Sequence, residues 1–153
     1  MKRLCIMSLL AICLLSACGG KPDYQTLSGE TGRFQDLRGR WLLVNYWAEW
    51  CSPCIKEMPE LKKFSDRYAD KAALFTVNFD GASGEELRRQ VQKLAIEVPV
   101  LSRDPAAVLG IERPQGLPTT YVFAPDGTLA ATLNGEQTAL SLAAAIGIPD
   151  PQP

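Results

Sequence analysis

The chain has 153 residues, 46% of them hydrophobic, with 16 basic side chains against 17 acidic ones and no histidine. That length suits one domain built around one core. The balanced charge leaves no basic footprint for nucleic acid, and there are no internal repeats or long runs of one sign. At the start, Lys2 and Arg3 precede a short apolar stretch, Leu4 to Leu15. A basic n-region followed by an h-region reads as a signal peptide, because a spanning helix needs roughly 20 apolar residues.

The stretch ends Leu15-Ser16-Ala17-Cys18, small residues leading directly into a cysteine. This resembles a bacterial lipoprotein lipobox, which implies cleavage before Cys18, lipidation of that cysteine and attachment to a membrane. The alternative is an ordinary signal peptide cleaved nearby. Gly19 after the cysteine resembles the enterobacterial pattern for outer-membrane sorting. Processing would remove Cys5 and Cys13 and acylate Cys18, leaving Cys51 and Cys54 as thiols, able to pair with each other or with a partner. An exported compartment permits disulfides, but a bridge between residues so close in sequence closes too small a loop to act as a staple. Without Lys2 and Arg3, 14 basic residues face 17 acidic ones, a net of −3.

Residues 1–17 are thus read as signal peptide, 18–25 as a polar tether, 26–147 as the folded domain and 148–153 as a Pro-rich, disordered tail. Between Thr26 and Arg40, punctuated by Gly29, Gly32 and Gly39, a short hairpin or edge strands are expected. Leu42–Trp47 reads as a buried strand. A helix follows from about Pro53 to Tyr68, with Ile55, Met58, Leu61, Phe64 and Tyr68 at helical spacing. Pro53 suits its first turn, and Pro59 should kink it. Ala73–Phe79 is a second buried strand. Ser83-Gly84-Glu85-Glu86 reads as a capping box opening a helix with Leu87, Val91 and Leu94 on one face. A short strand at Val98–Leu101 and a short helix capped by Asp104 and ending near Gly110 come next. Thr119–Ala124 and Leu129–Leu133 form a hairpin around Pro125-Asp126-Gly127, and Thr138–Ile146 is a closing helix. This order predicts an α/β fold with parallel crossovers before a terminal hairpin.

The chemistry centres on Trp50-Cys51-Ser52-Pro53-Cys54, a C-x-x-C pair at a strand-to-helix junction. Partial positive charge and unpaired N–H groups at a helix start favour thiolate over thiol. The outer thiol, Cys51, should have the lower pKa and act as nucleophile, and Cys54, one turn in, should resolve the mixed disulfide. The competing use of C-x-x-C, half a zinc site, needs two further ligands, and the chain has no histidine and no third free thiol. Haem attachment is excluded because Ile55 follows Cys54.

Asn45-Tyr46-Trp47-Ala48-Glu49-Trp50-Cys51-Ser52-Pro53-Cys54, with Leu117-Pro118-Thr119-Thr120 further on, resembles the thioredoxin superfamily. The longer pattern Trp50-Cys51-x-Pro53-Cys54-x-x-Glu57-x-Pro59 resembles its TlpA/ResA branch of extracytoplasmic, usually membrane-tethered thiol–disulfide oxidoreductases. The resemblance implies a thioredoxin-like fold, a central mixed sheet flanked by helices, with Asp80–Ile111 as the branch's helix–strand insertion. It implies a redox disulfide Cys51–Cys54, a cis-proline at Pro118 beside it, and Leu117 facing the bound peptide. Trp50 would form an apolar rim over the thiols, while Tyr46 and Trp47 pack and Trp41 is a strand-start or interface residue with no chemical role. Glu57, one turn beyond Cys54, would exchange protons with the inner thiol and raise the thiol pKa values. Read as a residue alone, Glu57 could equally be a solvated acid beside Lys56, Glu60 and Lys62. Asn45 stands where classical thioredoxins have a buried aspartate, and it cannot ionise.

The function implied is reduction of disulfides in exported proteins, with electrons from a transmembrane thiol carrier, the domain lying in the cell envelope outside the cytoplasm. No cofactor, metal or nucleic acid is implied. An oxidase or isomerase on the same fold is the alternative, since Ser52-Pro53 does not fix the direction. A copper chaperone or docking module is a third reading. Relatives in cytochrome maturation often carry an acid directly after the cis-proline, and Thr119 stands there instead.

Overall fold

The computed structural model describes residues 20–149. The leader, Cys18 and residues 150–153 lie outside this range. Two short strands, β1 (Tyr24–Gln25) and β2 (Thr31–Gly32), pair antiparallel, and a 3-10 turn at Phe34–Leu37 follows. The main elements are β3 (Trp41–Trp47), α1 (Ser52–Arg67), β4 (Ala72–Asn78), α2 (Gly84–Lys93), α3 (Ala106–Leu109), β5 (Thr119–Phe123), β6 (Leu129–Asn134) and α4 (Ala139–Ala145). The sheet runs β4-β3-β5-β6; β3 is parallel to β4, and β5 is antiparallel to both β3 and β6.

β3 is the centre of this arrangement. Its near-continuous apolar run is what a strand covered on both faces requires. Period-two alternation then sorts its side chains. Leu43 and Trp47 enter one apolar layer with Leu61 and Phe64 of α1, Leu87 of α2 and Leu142 of α4. Leu42, Val44 and Tyr46 enter the other with Tyr24, Phe34, Phe75, Val77 and Tyr121. Asn45 shares the parity of Leu43 and Trp47 and therefore lies on the α1 side. α1 buries Cys54, Glu57, Met58, Leu61 and Phe64 on one face and runs on through Pro59 to Arg67.

Four local expectations change in the fold. Ser83 stands at the N-cap of α2 but makes no side-chain cap bond. The Glu86 carboxylate is drawn down the helix by Arg89 (2.6 and 2.9 Å) and Gln90 (2.8 Å) instead of back to the cap. The capping box forms in α4, where Thr138 and Ser141 exchange side-chain-to-backbone bonds of 3.1 and 2.9 Å. The strand expected at Val98–Leu101 reduces to single bridges, Val100 to Thr76 and Leu101 to Thr26. Pro99 has no N–H and can only accept there, from Thr76 N–H at 2.8 Å. α3 starts two residues beyond Asp104, whose Oδ1 nonetheless accepts Ala106 N–H at 2.9 Å.

The fourth change is at the domain edges. Tyr24, read as tether, pairs in β1 and stacks its ring 4.9 Å from Phe34 and 5.1 Å from Phe75. Asp23 Oδ1 accepts Phe34 N–H at 2.9 Å. The folded part thus includes 23–25, because an aromatic ring in this polar stretch has an apolar socket to fill. At the other end, Ile148 packs against the core on the α1 side. Replacing the buried ring, Tyr24→Ala, should lower the unfolding free energy by about 2–4 kcal/mol, measured by denaturant titration; a loss within experimental error would return these residues to the tether.

Candidate functional site

Cys51 closes β3's following turn, donating its N–H to Ala48 O at 3.1 Å, and occupies the N-cap of α1. Its sulfur accepts Cys54 N–H at 3.3 Å, so one orphan donor of the helix start points at a sulfur. Pro53 fits the first turn because it has no N–H to leave unpaired. Cys51 and Cys54 form a disulfide. Cys51 keeps 4% of its surface exposed and Cys54 none, so Cys51 is the one of the pair that meets solvent.

Glu57 follows Cys54 by one turn and is fully buried. Each carboxylate oxygen has a donor. Asn45 Nδ2 donates to Oε1 at 2.8 Å, and the backbone N–H of Gln137, in the β6–α4 connection, donates to Oε2 at 2.8 Å. Asn45 Nδ2 also reaches Thr120 Oγ1 at 3.0 Å, its partner across the β3–β5 ladder. Asn45 Oδ1 is buried with no hydrogen-bond partner among the described residues. The Glu57 carboxyl is pushed up to about 7: burial raises it most, the Gln137 and Asn45 donors pull it back, and the nearby Glu136 charge adds a small rise. It is a buried acid, not a solvated surface residue.

The Leu117–Pro118 peptide bond is cis. Pro118 is buried immediately before β5, at the same sheet end as the disulfide, since Tyr46 pairs with Thr119. Leu117 is half-buried and packs against both core layers, one of which holds the two cysteines. Trp50 is 66% exposed, its indole N–H donating to Asp80 Oδ2 at 2.9 Å. Glu49, beside it, accepts Lys93 Nζ at 2.7 Å and Arg89 at 3.4 Å, which fastens the site loop to α2. Trp47 and Tyr46 are fully buried packing residues.

Thus Cys51, Cys54 and Glu57 share one helix end, and Leu117–Pro118 shares that end of the sheet. Thr120 stands in the Leu117-Pro118-Thr119-Thr120 motif without a role of its own there, and Gln137 and Asp80 carry no sequence signal. Thr120 meets Asn45 through strand register, Gln137 acts through its main chain, and Asp80 becomes visible only beside the indole. Among the described residues no helix is long and apolar enough to cross a membrane, and no three Cys, His, Asp or Glu side chains cluster as a metal site.

A mixed four-stranded sheet flanked by helices, with a disulfide at a helix start, is a thioredoxin-like fold carrying a C-x-x-C redox centre. Residues 21–132 match the model of the AhpC/TSA family, and the chain belongs to that family. It is 38% identical over 114 residues to the thioredoxin-like protein YneN of Bacillus subtilis, covering 71% of this chain and 65% of that one. Against the thiol-disulfide oxidoreductase ResA of Bacillus anthracis it is 27% identical over 112 residues, covering 73% and 65%. The match spans just under two thirds of these relatives' length. Among solved structures, StoA of Bacillus subtilis superposes with a TM-score of 0.66 at 22% identity, covering 80% of this chain and 92% of that one. The pneumococcal exposed lipoprotein thioredoxin Etrx1 of Streptococcus pneumoniae gives 0.68 at 23%, covering 79% and 93%. These two likenesses carry the fold.

Glu57 binds its proton more tightly in the native state than its ordinary value of 4.5. The oxidised wild type should therefore lose stability relative to Glu57→Gln as pH rises from 4.5 through about 7, by on the order of 3 kcal/mol. Urea denaturation of both disulfide forms at pH 4 and pH 8 measures this; a pH-independent difference would mean that Glu57 titrates normally.

Proposed function

We propose that this chain is a thiol–disulfide oxidoreductase, held outside the cytoplasm by a lipid at Cys18, that reduces disulfides in exported proteins. The observation that carries this reading is the Cys51–Cys54 pair at the N-cap of α1 with the buried Glu57 carboxyl one turn behind it. The relative ResA, a thiol-disulfide oxidoreductase, and the pneumococcal neighbour, an exposed lipoprotein thioredoxin, agree with it.

In the reduced protein Cys51 thiolate attacks one sulfur of the partner's disulfide. A mixed disulfide forms, and the partner's other sulfur leaves as thiolate. Cys54 gives its proton to the Glu57 carboxylate and attacks Cys51 Sγ, closing the Cys51–Cys54 bond and expelling the partner's second thiolate. That thiolate takes up the proton. Two electrons pass to the partner, and a transmembrane thiol carrier restores the dithiol. Exposed Trp50 and half-buried Leu117 supply apolar contacts to the partner's chain, and the backbone at Leu117–Pro118 offers it hydrogen bonds.

Charge favours the reducing direction. A carboxylate beside the thiols opposes thiolate formation, which disfavours the reduced form's ionisation and makes the pair the better electron donor. The helix N-terminus acts in the opposite sense, so an oxidase is the competing reading. Equilibration with glutathione buffers separates them: a potential near about −270 mV fits a reductase, and one near about −120 mV overturns it.

Cys51→Ser should abolish insulin-disulfide reduction. Cys54→Ser, expressed in the native host, should accumulate mixed disulfides with exported proteins, visible on non-reducing gels. If Cys54→Ser captured no partner while Cys51→Ser left cells unchanged, the thiol pair would not be used in exchange.

A further inference from the structure

The stretch leading into Leu117–Pro118 has no regular structure, and Glu112, Arg113, Gln115 and Gly116 are exposed. A loop that carries recognition groups needs a scaffold to hold it. Tyr121 Oη donates to Glu112 O at 2.8 Å. Arg113 does more. Its Nε donates to Asp104 Oδ2 at 2.7 Å, its Nη2 donates to the backbone carbonyl of Phe79, and its guanidinium lies 4.6 Å over the Phe79 ring. Asp104 is fixed in turn by Tyr46 Oη at 2.6 Å and Ala106 N–H at 2.9 Å. Phe79 is bound to the site strand through its N–H to Trp47 O at 2.7 Å, and the next residue, Asp80, holds the Trp50 indole.

One side chain thus connects the two edges between which a partner's peptide would lie: the Leu117–Pro118 loop and the Asp80–Trp50 edge. We propose that Arg113 is a positioning residue that sets the separation of these edges and so the affinity for the protein substrate. This rests on the exchange reaction proposed above. An ordinary half-exposed ion pair has one acceptor; here a carboxylate, a main-chain carbonyl and a ring face converge on one planar group. Lysine cannot reproduce that, because its point charge lacks the fork and the flat face.

The test uses the full chain, with insulin as disulfide substrate and dithiothreitol as reductant. Arg113→Gln and Arg113→Lys should each raise KM for insulin about five-fold with kcat held within about two-fold. Asp104→Asn, which leaves the Arg113 side chain in place but removes its anionic partner, should move KM in the same direction. An unchanged KM in Arg113→Gln, or a matching fall in kcat, overturns the proposal. Amide and indole exchange by NMR gives a second, activity-independent readout. In Arg113→Gln the Trp50 indole N–H and the Gly135 N–H, which bonds Pro118 O at 2.8 Å, should both exchange faster while α4 amides are unaffected. A wild type inactive on insulin would sink the exchange reaction, and the NMR result would then decide Arg113 alone: acceleration at both sites supports it, at one or neither overturns it.

Discussion

The Glu57 carboxyl has no exposed surface, and that constraint organises its surroundings. A buried ionisable group needs partners, or its desolvation is uncompensated. Here the partners come from opposite sides. β3 contributes the Asn45 amide, and the β6–α4 connection contributes the Gln137 N–H. α1, the central strand and the start of the closing helix are therefore joined through one carboxyl group. The two donors favour the charged form and burial favours the neutral one. Burial prevails, and the group sits where it can both take and give a proton near neutrality.

β3 makes this possible because it serves both faces of the sheet. On one face Asn45 meets Glu57 and Thr120. On the other, the next residue, Tyr46, sends its hydroxyl to Asp104, and burial together with that carboxylate pushes the phenol's pKa up, so it remains a donor. The chain then leaves β3 directly into the turn that presents Trp50 and Cys51. The Asn45–Glu57 contact on one face and the Tyr46–Asp104 contact on the other are consequences of one strand's alternation.

Local motifs survived the passage to three dimensions best. The apolar strand, the α1 register and the Pro125-Asp126-Gly127 turn, with Gly127 at φ 87° donating to Ala124 O at 2.8 Å, all lie where their residues place them. Expectations failed where a side chain had several partners to choose from. Glu86 could reach back to the cap or down to Arg89 and Gln90, and a nearby cation prevails over a backbone N–H. Pro99 interrupted what hydrophobicity alone presents as a strand, and Tyr24 left the tether because an aromatic socket was waiting for it.

The sequence by itself determined the C-x-x-C pair, the helix that bears it and the α/β order of elements, since each is encoded locally by spacing, caps and alternation, while the thioredoxin-like fold and the singling out of Glu57 came from the resemblance to the TlpA/ResA branch. Tertiary structure decided that Glu57 is buried rather than solvated, that Gln137 N–H donates to it while Thr120 holds its partner Asn45, and that Arg113 spans from the Leu117 loop to Phe79. Those relations join residues far apart in the chain. They exist only once β3 and β5 have taken their register, because strand pairing, not local propensity, brings such groups within hydrogen-bonding distance.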